Sequence, residues 1–224
     1  MTNKQITIDV ISDIVCPWCF VGRKRLERAL DLLPELDVIV RWRPFQLDPT
    51  IPPRGKDRKV YLKDKFGSLS RSDEMHDQLI KLGEEEDIEF DFDAIEVSPN
   101  TLDAHRVIQW ASQARPETQD RLVGKLFSFY FEQGLNIGDH EVLIDAASAS
   151  GMDGQIVASL LATDADRESV LQEIETANRI GVRGVPCYII DQKYAVMGAQ
   201  PADVLADAIR QAADGFEPGA AEDR

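Results

Sequence analysis

Alternation of apolar and polar side chains predicts strands near both ends of the chain, with helical spacing between them. Residues 5–12 alternate, and residues 17–33 then take a helical spacing that ends at Pro34. A second alternating run covers residues 38–45. Because a crossover of this kind is right-handed and joins neighbouring strands, the two strands are predicted to be parallel.

The middle of the chain, after a linker rich in proline at residues 48–55, has mostly helical periodicity. Strand character returns only at Cys187–Ile190 and Tyr194–Met197, which are separated by three turn residues and predict a hairpin. A last helix is predicted over residues 201–213. The helices predicted between linker and hairpin cover residues 57–66, 71–87, 100–114, 117–133, 140–150, 153–162 and 165–180.

These elements predict an α/β fold whose sheet is discontinuous in sequence. Strand–helix–strand opens the chain, strand–strand–helix closes it, and a helical block interrupts the two halves. The predicted divisions are a sheet domain at residues 1–54 and 181–215, an inserted helical domain at 55–180, and a disordered tail at 216–224.

Two cysteines separated by two residues stand where the first strand meets the first helix. If Pro17 is the first helical residue, Cys16 lies at the helix start, where unpaired N–H groups and the helix dipole favour a thiolate. Cys19 comes round to the same face of the first turn, so one disulfide can join both sulfurs. We interpret the pair as a redox-active dithiol.

Other uses of a C-x-x-C pair fit this sequence less well. A zinc site commonly takes four ligands, but the only other cysteine is Cys187 and the three histidines are scattered. A c-type haem needs histidine directly after the second cysteine, where Phe20 stands. No metal ligand is therefore expected.

Composition restricts the partners and the compartment. A net charge of −15 argues against nucleic acid or an anionic membrane as the principal partner. No apolar run approaches the ~18 residues of a membrane span, and residues 1–5 lack the features of a secretory signal, so the cytoplasm is expected. We interpret the local basic stretch as a water-facing helix surface rather than a docking site. It consists of Arg54, Lys56, Arg58, Lys59, Lys63 and Lys65.

A glycine-containing segment, residues 181–186, follows a helix and precedes the hairpin. A phosphate-binding loop has the reverse order, so these glycines do not indicate one. A proline at the first position of a strand is tolerated and can be cis. A cis bond before Pro186 would turn the Val185 backbone outward, free to pair with an extended peptide. An ordinary trans turn proline is the alternative.

Taken together, the two ends of the chain resemble the DsbA-like thioredoxin superfamily, and more closely its cytoplasmic FrnE-type branch. The resemblance implies a thioredoxin fold with a central mixed sheet, a large inserted all-helical domain, and disulfide exchange on protein or small-molecule disulfides. Its motifs look like Asp-x-Val-Cys-Pro-Trp-Cys, Trp-x-Pro-Phe, Asn-Thr-x-x-Ala-His-Arg, Gly-Val-Pro and Gly-Ala-Gln. They stand here at residues 13–19, 42–45, 100–106, 184–186 and 198–200.

The resemblance also implies residue roles. Cys16 would be the attacking thiolate, Cys19 the resolving thiol, and Pro186 the cis proline that faces them. Cys187 departs from the pattern, since an aromatic or aliphatic residue is expected after that proline. We favour a buried strand cysteine there, and a third thiol that tunes the pair is the alternative. The candidates for substrate contacts are Pro17, Trp18, Val185, Pro186, Ala199 and Gln200.

Two residues of the third motif are candidate modulators of the site. Asn100 stands near a helix start and His105 falls beside the buried face of that helix, so packing or capping is the favoured role of both. The alternative is that His105 lines the cleft above Cys16 and helps to hold its charge.

Two rival functions stay open. Glutathione-dependent kappa-type transferases and chromene-carboxylate isomerases share the implied fold, but use a hydroxyl where Cys16 stands. Glutathione is a candidate co-substrate here, with its thiol arm at Val185 and its carboxylate at Ala199 and Gln200; no other cofactor is expected. A peptide-binding or chaperone-like module is the non-enzymatic alternative. The expected partner is a disulfide-containing protein or a small thiol, and the chain is expected to be a monomer or a homodimer.

Overall fold

The computed structural model describes residues 5–215. The predicted disordered tail, residues 216–224, lies outside that range. In chain order the elements are β1 (Gln5–Ser12), α1 (Pro17–Asp31), β2 (Asp37–Pro44), β3 (Lys56–Asp57), α2 (Arg58–Phe66), α3 (Leu69–Glu85), β4 (Val97–Ser98), α4 (Leu102–Ser112), α5 (Pro116–Phe131), α6 (His140–Ala149), α7 (Gly154–Leu161), α8 (Arg167–Arg179), β5 (Cys187–Ile190), β6 (Tyr194–Met197) and α9 (Ala202–Asp214).

A mixed sheet with strand order β2-β1-β5-β6 carries the two ends of the chain. β1 pairs in parallel with β2 and antiparallel with β5, and β5 pairs antiparallel with β6. The predicted parallel pair and the predicted hairpin are both confirmed. Because β1 and β2 are parallel, their carboxyl ends meet at one edge, and the segment from Ser12 to Cys16 leaves the sheet there.

The block between β2 and β5 contains the predicted helices and one element that the periodicity missed. β3 and β4 form a two-residue antiparallel ladder, too short to produce an alternating pattern. Gly55 precedes this ladder with φ of 78°, and a Cβ there would lie 2.6 Å from Val97 Cγ1. Glycine is therefore required on both conformational and steric grounds.

The helical block shares its core with the sheet. The ring of Phe20 in α1 stacks on Phe127 in α5, with 5.2 Å between ring centroids. The α5 side chains Leu122, Leu126 and Phe127 are fully buried in the same apolar cluster as Ile8 of β1. Helical block and sheet therefore bury one continuous core, while the domain limits at residues 54 and 181 stay a prediction. Within residues 5–215, no helix is both long enough and apolar enough to cross a membrane.

Candidate active site

The dithiol stands where β1 passes into α1. Cys16 is the N-cap residue of the helix, with an extended backbone, and Pro17 follows at the first helical position. The backbone amide of Cys16 donates to the carbonyl oxygen of Asp13 at 3.0 Å, which tightens the turn between strand and helix. The first turn of α1 carries no acidic residue. The positive end of the helix therefore meets Cys16 without a competing carboxylate.

The structure brings Cys16 and Cys19 together as free thiols. Burial raises the pKa of Cys19 well above its usual value, and the hydrogen bond and charge of Cys16 raise it further. The Ser12 hydroxyl and the backbone amide of Asp13 act in the opposite direction on the Cys19 pKa, without cancelling those effects. Cys19 therefore keeps its proton at neutral pH. Within residues 5–215, no cluster of three or more His, Cys, Asp or Glu side chains is arranged to hold a metal ion.

A proline loop lies opposite the dithiol. The Val185–Pro186 peptide bond is cis, and the carbonyl oxygen of Val185 lies 3.7 Å from Cys16 Sγ. The carbonyl oxygen of Pro186 accepts a hydrogen bond from the amide of Gly198 at 2.8 Å. This bond ties the proline loop to the end of β6.

Ala199 and Gln200, the residues predicted to bind the glutathione carboxylate, directly follow Gly198 in the chain. The Ala199 carbonyl oxygen accepts a bond of 2.6 Å from the guanidinium of Arg25. The side-chain amide of Gln200 turns back to the carbonyl oxygen of Met197 at 2.9 Å. In this state both residues are engaged within the chain, and their predicted role in substrate binding stays a prediction.

A cavity of about 280 Å³ opens beside the dithiol. The wall on the dithiol side consists of Cys16, Pro17, Trp18 and Val185. Trp18 is 40% exposed and so marks the rim. The opposite wall comes from the linker and the helical block and is mainly apolar. It includes Leu47, Ile51, Tyr61, Leu62, Phe66 and Met75.

The same cavity corrects our interpretation of the basic stretch. Arg58 is not a water-facing residue: it is only 9% exposed and lines the cavity. Its position has a local cause. Asp57 caps α2 by accepting a bond from the Val60 amide at 2.9 Å, and the Arg58 amide donates to the carbonyl oxygen of Glu96 at 2.8 Å. Arg58 is therefore fixed as the first residue of α2, against the β3–β4 ladder.

The two candidate modulators from the third motif, Asn100 and His105, do not line the cavity. Asn100 donates to the carbonyl oxygen of Ile51 at 2.6 Å and accepts from the Leu102 amide at 3.0 Å. The buried His105 ring places Nε2 2.8 Å from the carbonyl oxygen of Phe45 and 3.4 Å from Asp13 Oδ1. These contacts join the start of α4 to the linker and to the end of β1.

Cys187 points away from the pair. It is buried with Ile11, Phe45, Ala177 and Val182, in a core group separate from the one that contains Cys16 and Cys19. Burial raises the pKa of the Cys187 thiol. This placement agrees with a buried strand cysteine.

Two polar residues beside the dithiol, Ser12 and Tyr188, were not predicted from the sequence. The Ser12 hydroxyl is buried and has no hydrogen-bond partner within 3.5 Å among the described oxygen and nitrogen atoms. The Tyr188 hydroxyl is likewise buried and unpartnered within the described range, and it lies against Gly22 of α1. The alternation along β1 could have identified Ser12 from the sequence. Ser12 continues the series Ile6, Ile8 and Val10, all of which point into the core beneath α1.

A reduced dithiol at a helix start, opposite a proline that opens a strand of a mixed sheet, defines a thioredoxin-fold dithiol protein. The chain matches the model of the DSBA-like thioredoxin domain over residues 7–210, and it belongs to that family. The predicted thioredoxin-type α/β fold is thereby confirmed, while the FrnE-type branch stays a prediction.

Three known proteins show how far the similarity extends. The protein YwbO of Bacillus subtilis is 28% identical over 208 residues, which cover 91% of this chain and 96% of YwbO. The crystal structure of the probable DsbA oxidoreductase SCO1869 from Streptomyces coelicolor is 30% identical, with a TM-score of 0.86 over 97% of this chain and 94% of that one. The cytosolic disulfide reductase DsbM from Pseudomonas aeruginosa with GSH is 16% identical, with a TM-score of 0.60 over 92% and 98% of the two chains, and shows the fold alone.

Proposed function

We propose that this member of the family is a cytoplasmic thiol–disulfide oxidoreductase that works through Cys16 and Cys19. The observation that carries the proposal is the difference between the two sulfurs. Cys16 borders an open cavity at the helix start, whereas Cys19 lies behind it, fully buried and with a raised pKa. One sulfur is therefore placed to meet substrate, and the other can be reached only by Cys16.

The proposed exchange proceeds in two steps, the first at Cys16 and the second at Cys19. The Cys16 thiolate attacks one sulfur of a substrate disulfide, an S–S bond forms to Cys16, and the other half of the substrate leaves as a thiolate that takes a proton from water. Cys19 next attacks the Cys16 sulfur, and its proton passes to the half of the substrate that this attack displaces from Cys16. The second half of the substrate leaves, the two cysteines become a disulfide, and two electrons have passed to the substrate.

The surroundings support both steps. Cys16 lies at the positive end of α1, whose first turn carries no acidic residue. The Ser12 hydroxyl and the Asp13 amide lower the pKa of Cys19 against the stronger effect of burial, and so favour the thiolate that forms when Cys19 attacks. A glutathione-type thiol is the proposed reductant that restores the dithiol, by the reverse of the same two steps.

The test uses three single variants and a small disulfide substrate. We expect Cys19→Ser to accumulate a mixed disulfide on Cys16, detected by mass spectrometry of the intact protein. Cys16→Ser should form none. Cys187→Ser is the matched control and should exchange at the wild-type rate, because Cys187 lies in a separate core group. Exchange at the wild-type rate by Cys16→Ser would refute the proposal.

The rival functions predict different outcomes in the double variant Cys16→Ser/Cys19→Ser. A peptide-binding module would keep its affinity for an unfolded peptide in that variant and show no dithiol-dependent activity. An isomerase would keep glutathione binding, measured by calorimetry, because a serine at position 16 supplies the hydroxyl used in that class. The proposed oxidoreductase loses all turnover.

A further inference from the structure

The cavity beside Cys16 contains a cation, Arg58, that forms no ion pair with any residue of the described chain. Arg58 lines the cavity and is 9% exposed, yet within residues 5–215 no carboxylate lies within 4.0 Å of its guanidinium. Its recorded side-chain contacts are to neutral groups, at 3.4 Å each from the Ser98 and Tyr130 hydroxyls. The Arg58 Nε atom has no partner among the described residues. A buried charge is costly unless an anion or several strong hydrogen bonds satisfy it.

A second unpartnered nitrogen lies on the same wall. His76 of α3 also lines the cavity, and its Nε2 is buried without a hydrogen-bond partner in the described chain. Burial, and then the charge of Arg58, lower the pKa of His76 by more than the charges of Asp73, Asp93 and Asp77 raise it, so the ring is neutral at pH 7. A neutral ring can donate one N–H to an anion and adds no charge of its own. The ring stacks on Phe92, with 4.0 Å between centroids, which fixes its orientation.

The rest of the wall is mainly apolar and favours an apolar body; Lys65 also lines it and donates to the Tyr61 hydroxyl at 2.9 Å. Leu62, Phe66 and Met75 contribute side chains to the cavity, which opens at Cys16. A ligand that fits must therefore combine a sulfur at one end, an apolar or aromatic middle, and an anionic group that reaches Arg58. A cavity of about 280 Å³ lies just below the usual range for small-molecule pockets, which begins at about 300 Å³, and so suits a small ligand.

We propose that Arg58 and His76 form an anion-binding subsite that selects small disulfides whose thiol half carries a carboxylate on an apolar or aromatic body. The proposal rests on the exchange proposed for Cys16. The half that becomes bonded to Cys16 lies in the cavity with its carboxylate on the guanidinium. The other half leaves toward solvent as a thiolate.

The test compares two aromatic disulfides that differ only in the para substituent. One is the disulfide of para-mercaptobenzoic acid, which carries carboxylates, and the other is the neutral disulfide of the corresponding carboxamide. The second-order rate constant of Cys16 with each is measured by stopped-flow release of the aromatic thiol. Each value is divided by the rate of the same disulfide with free glutathione, because the two substrates differ in intrinsic reactivity. The variants are Arg58→Met, Arg58→Lys and the control Lys59→Met, which alters an exposed residue of the same helix.

We expect the wild type to prefer the carboxylate after this correction. Arg58→Met should lose about 10- to 100-fold with the carboxylate and less than about threefold with the carboxamide, the range for a hydrogen-bonded ion pair. Arg58→Lys should recover part of the loss, and Lys59→Met should match the wild type. Replacing a buried cation with an apolar side chain of similar length is often neutral for stability, so Arg58→Met is expected to fold.

The outcomes separate this subsite from the exchange itself. Equal corrected rates with the two substrates in the wild type, or equal losses in Arg58→Met, would overturn the subsite while leaving the exchange at Cys16 in place. Thiol release at the same rate by wild type and Cys16→Ser would instead overturn the proposed function. A measurement on the wild type alone adds a check that needs no variant. The non-thiol analogue para-toluate should slow alkylation of Cys16 by iodoacetamide and para-toluamide should not, and equal effects of the two would also overturn the subsite.

Discussion

Gly22 sits where α1 crosses the proline loop, and replacing it by alanine tests the packing that positions Pro186. A Cβ on Gly22 would contact the Tyr188 hydroxyl and lie 2.9 Å from Pro186 Cγ. Both neighbours are buried rings, so neither can move without disturbing the core. Overpacking of this kind costs about 1–3 kcal/mol. Alanine regains about 1 kcal/mol over glycine within a helix, which leaves an expected net loss of up to about 2 kcal/mol.

The assay for Gly22→Ala is denaturant unfolding of the reduced protein, followed by tryptophan fluorescence. The matched control is Gly124→Ala in α5, whose added Cβ would meet the guanidinium of Arg23, 2.9 Å away at Cζ. That group is the far end of a flexible side chain, so we expect Gly124→Ala to be as stable as the wild type or up to about 1 kcal/mol more stable.

Gly22→Ala should also slow disulfide exchange by about tenfold, because a shift of Pro186 carries the Val185 carbonyl away from Cys16, and small misplacements of reacting groups have effects of this order. Equal stabilities for the two glycine variants would refute the reasoning.

Two further predictions concern Ser12 and Asp103. We expect Ser12→Ala to slow the attack of Cys19 on a preformed Cys16 mixed disulfide by about tenfold, because a hydrogen bond to a developing charge is lost. The first attack, by Cys16, should be unchanged. Rapid-quench mass spectrometry measures both steps, and an equal effect on both would count against this role of Ser12. Burial raises the pKa of Asp103, but hydrogen bonds from Arg106 and His140 outweigh it and hold the pKa below its usual value. A carboxyl with a depressed folded-state pKa stabilises the protein above its unfolded pKa of about 4 and loses that contribution as the pH falls through the folded value. Wild type should therefore lose stability below about pH 4 more steeply than Asp103→Asn in unfolding curves; parallel curves would show that the Asp103 contacts contribute nothing.

Regular elements were predictable because burial repeats along them. The α5 helix, observed at Pro116–Phe131 and predicted at 117–133, carries a fully buried apolar stripe at helical spacing. Its neighbour, the β3–β4 ladder, has two residues in each strand and so has no period to detect. That ladder fixes Arg58 against the cavity wall, and the sequence reasoning missed both.

The misplacement of Arg58 has a further physical cause. Arg58 stands three and four residues before Tyr61 and Leu62, which are buried, so helical spacing places it on their face of α2. Its charge, in a stretch that also contains Lys59 and Lys63, favoured a solvated surface instead. Position on the helix outweighed residue type, because the wall of a cavity that opens to solvent can hold a cation that a closed core cannot. Contacts between residues distant in sequence, such as Val185 with Cys16, required the fold itself.

The geometry divides chemistry and selection between different parts of the chain. The dithiol and the proline loop come from the sheet and its first helix, whereas Arg58 and His76 come from α2 and α3 of the helical block. In the proposed function, Cys16 and Cys19 carry out the disulfide exchange. The substrate that carries the disulfide is selected by Arg58 and His76, on a cavity wall to which Cys19 does not contribute. Because Phe20 of α1 stacks on Phe127 of α5, the two parts share one core. Substitutions in α2 can then change which disulfide is accepted without changing the order in which the two sulfurs react.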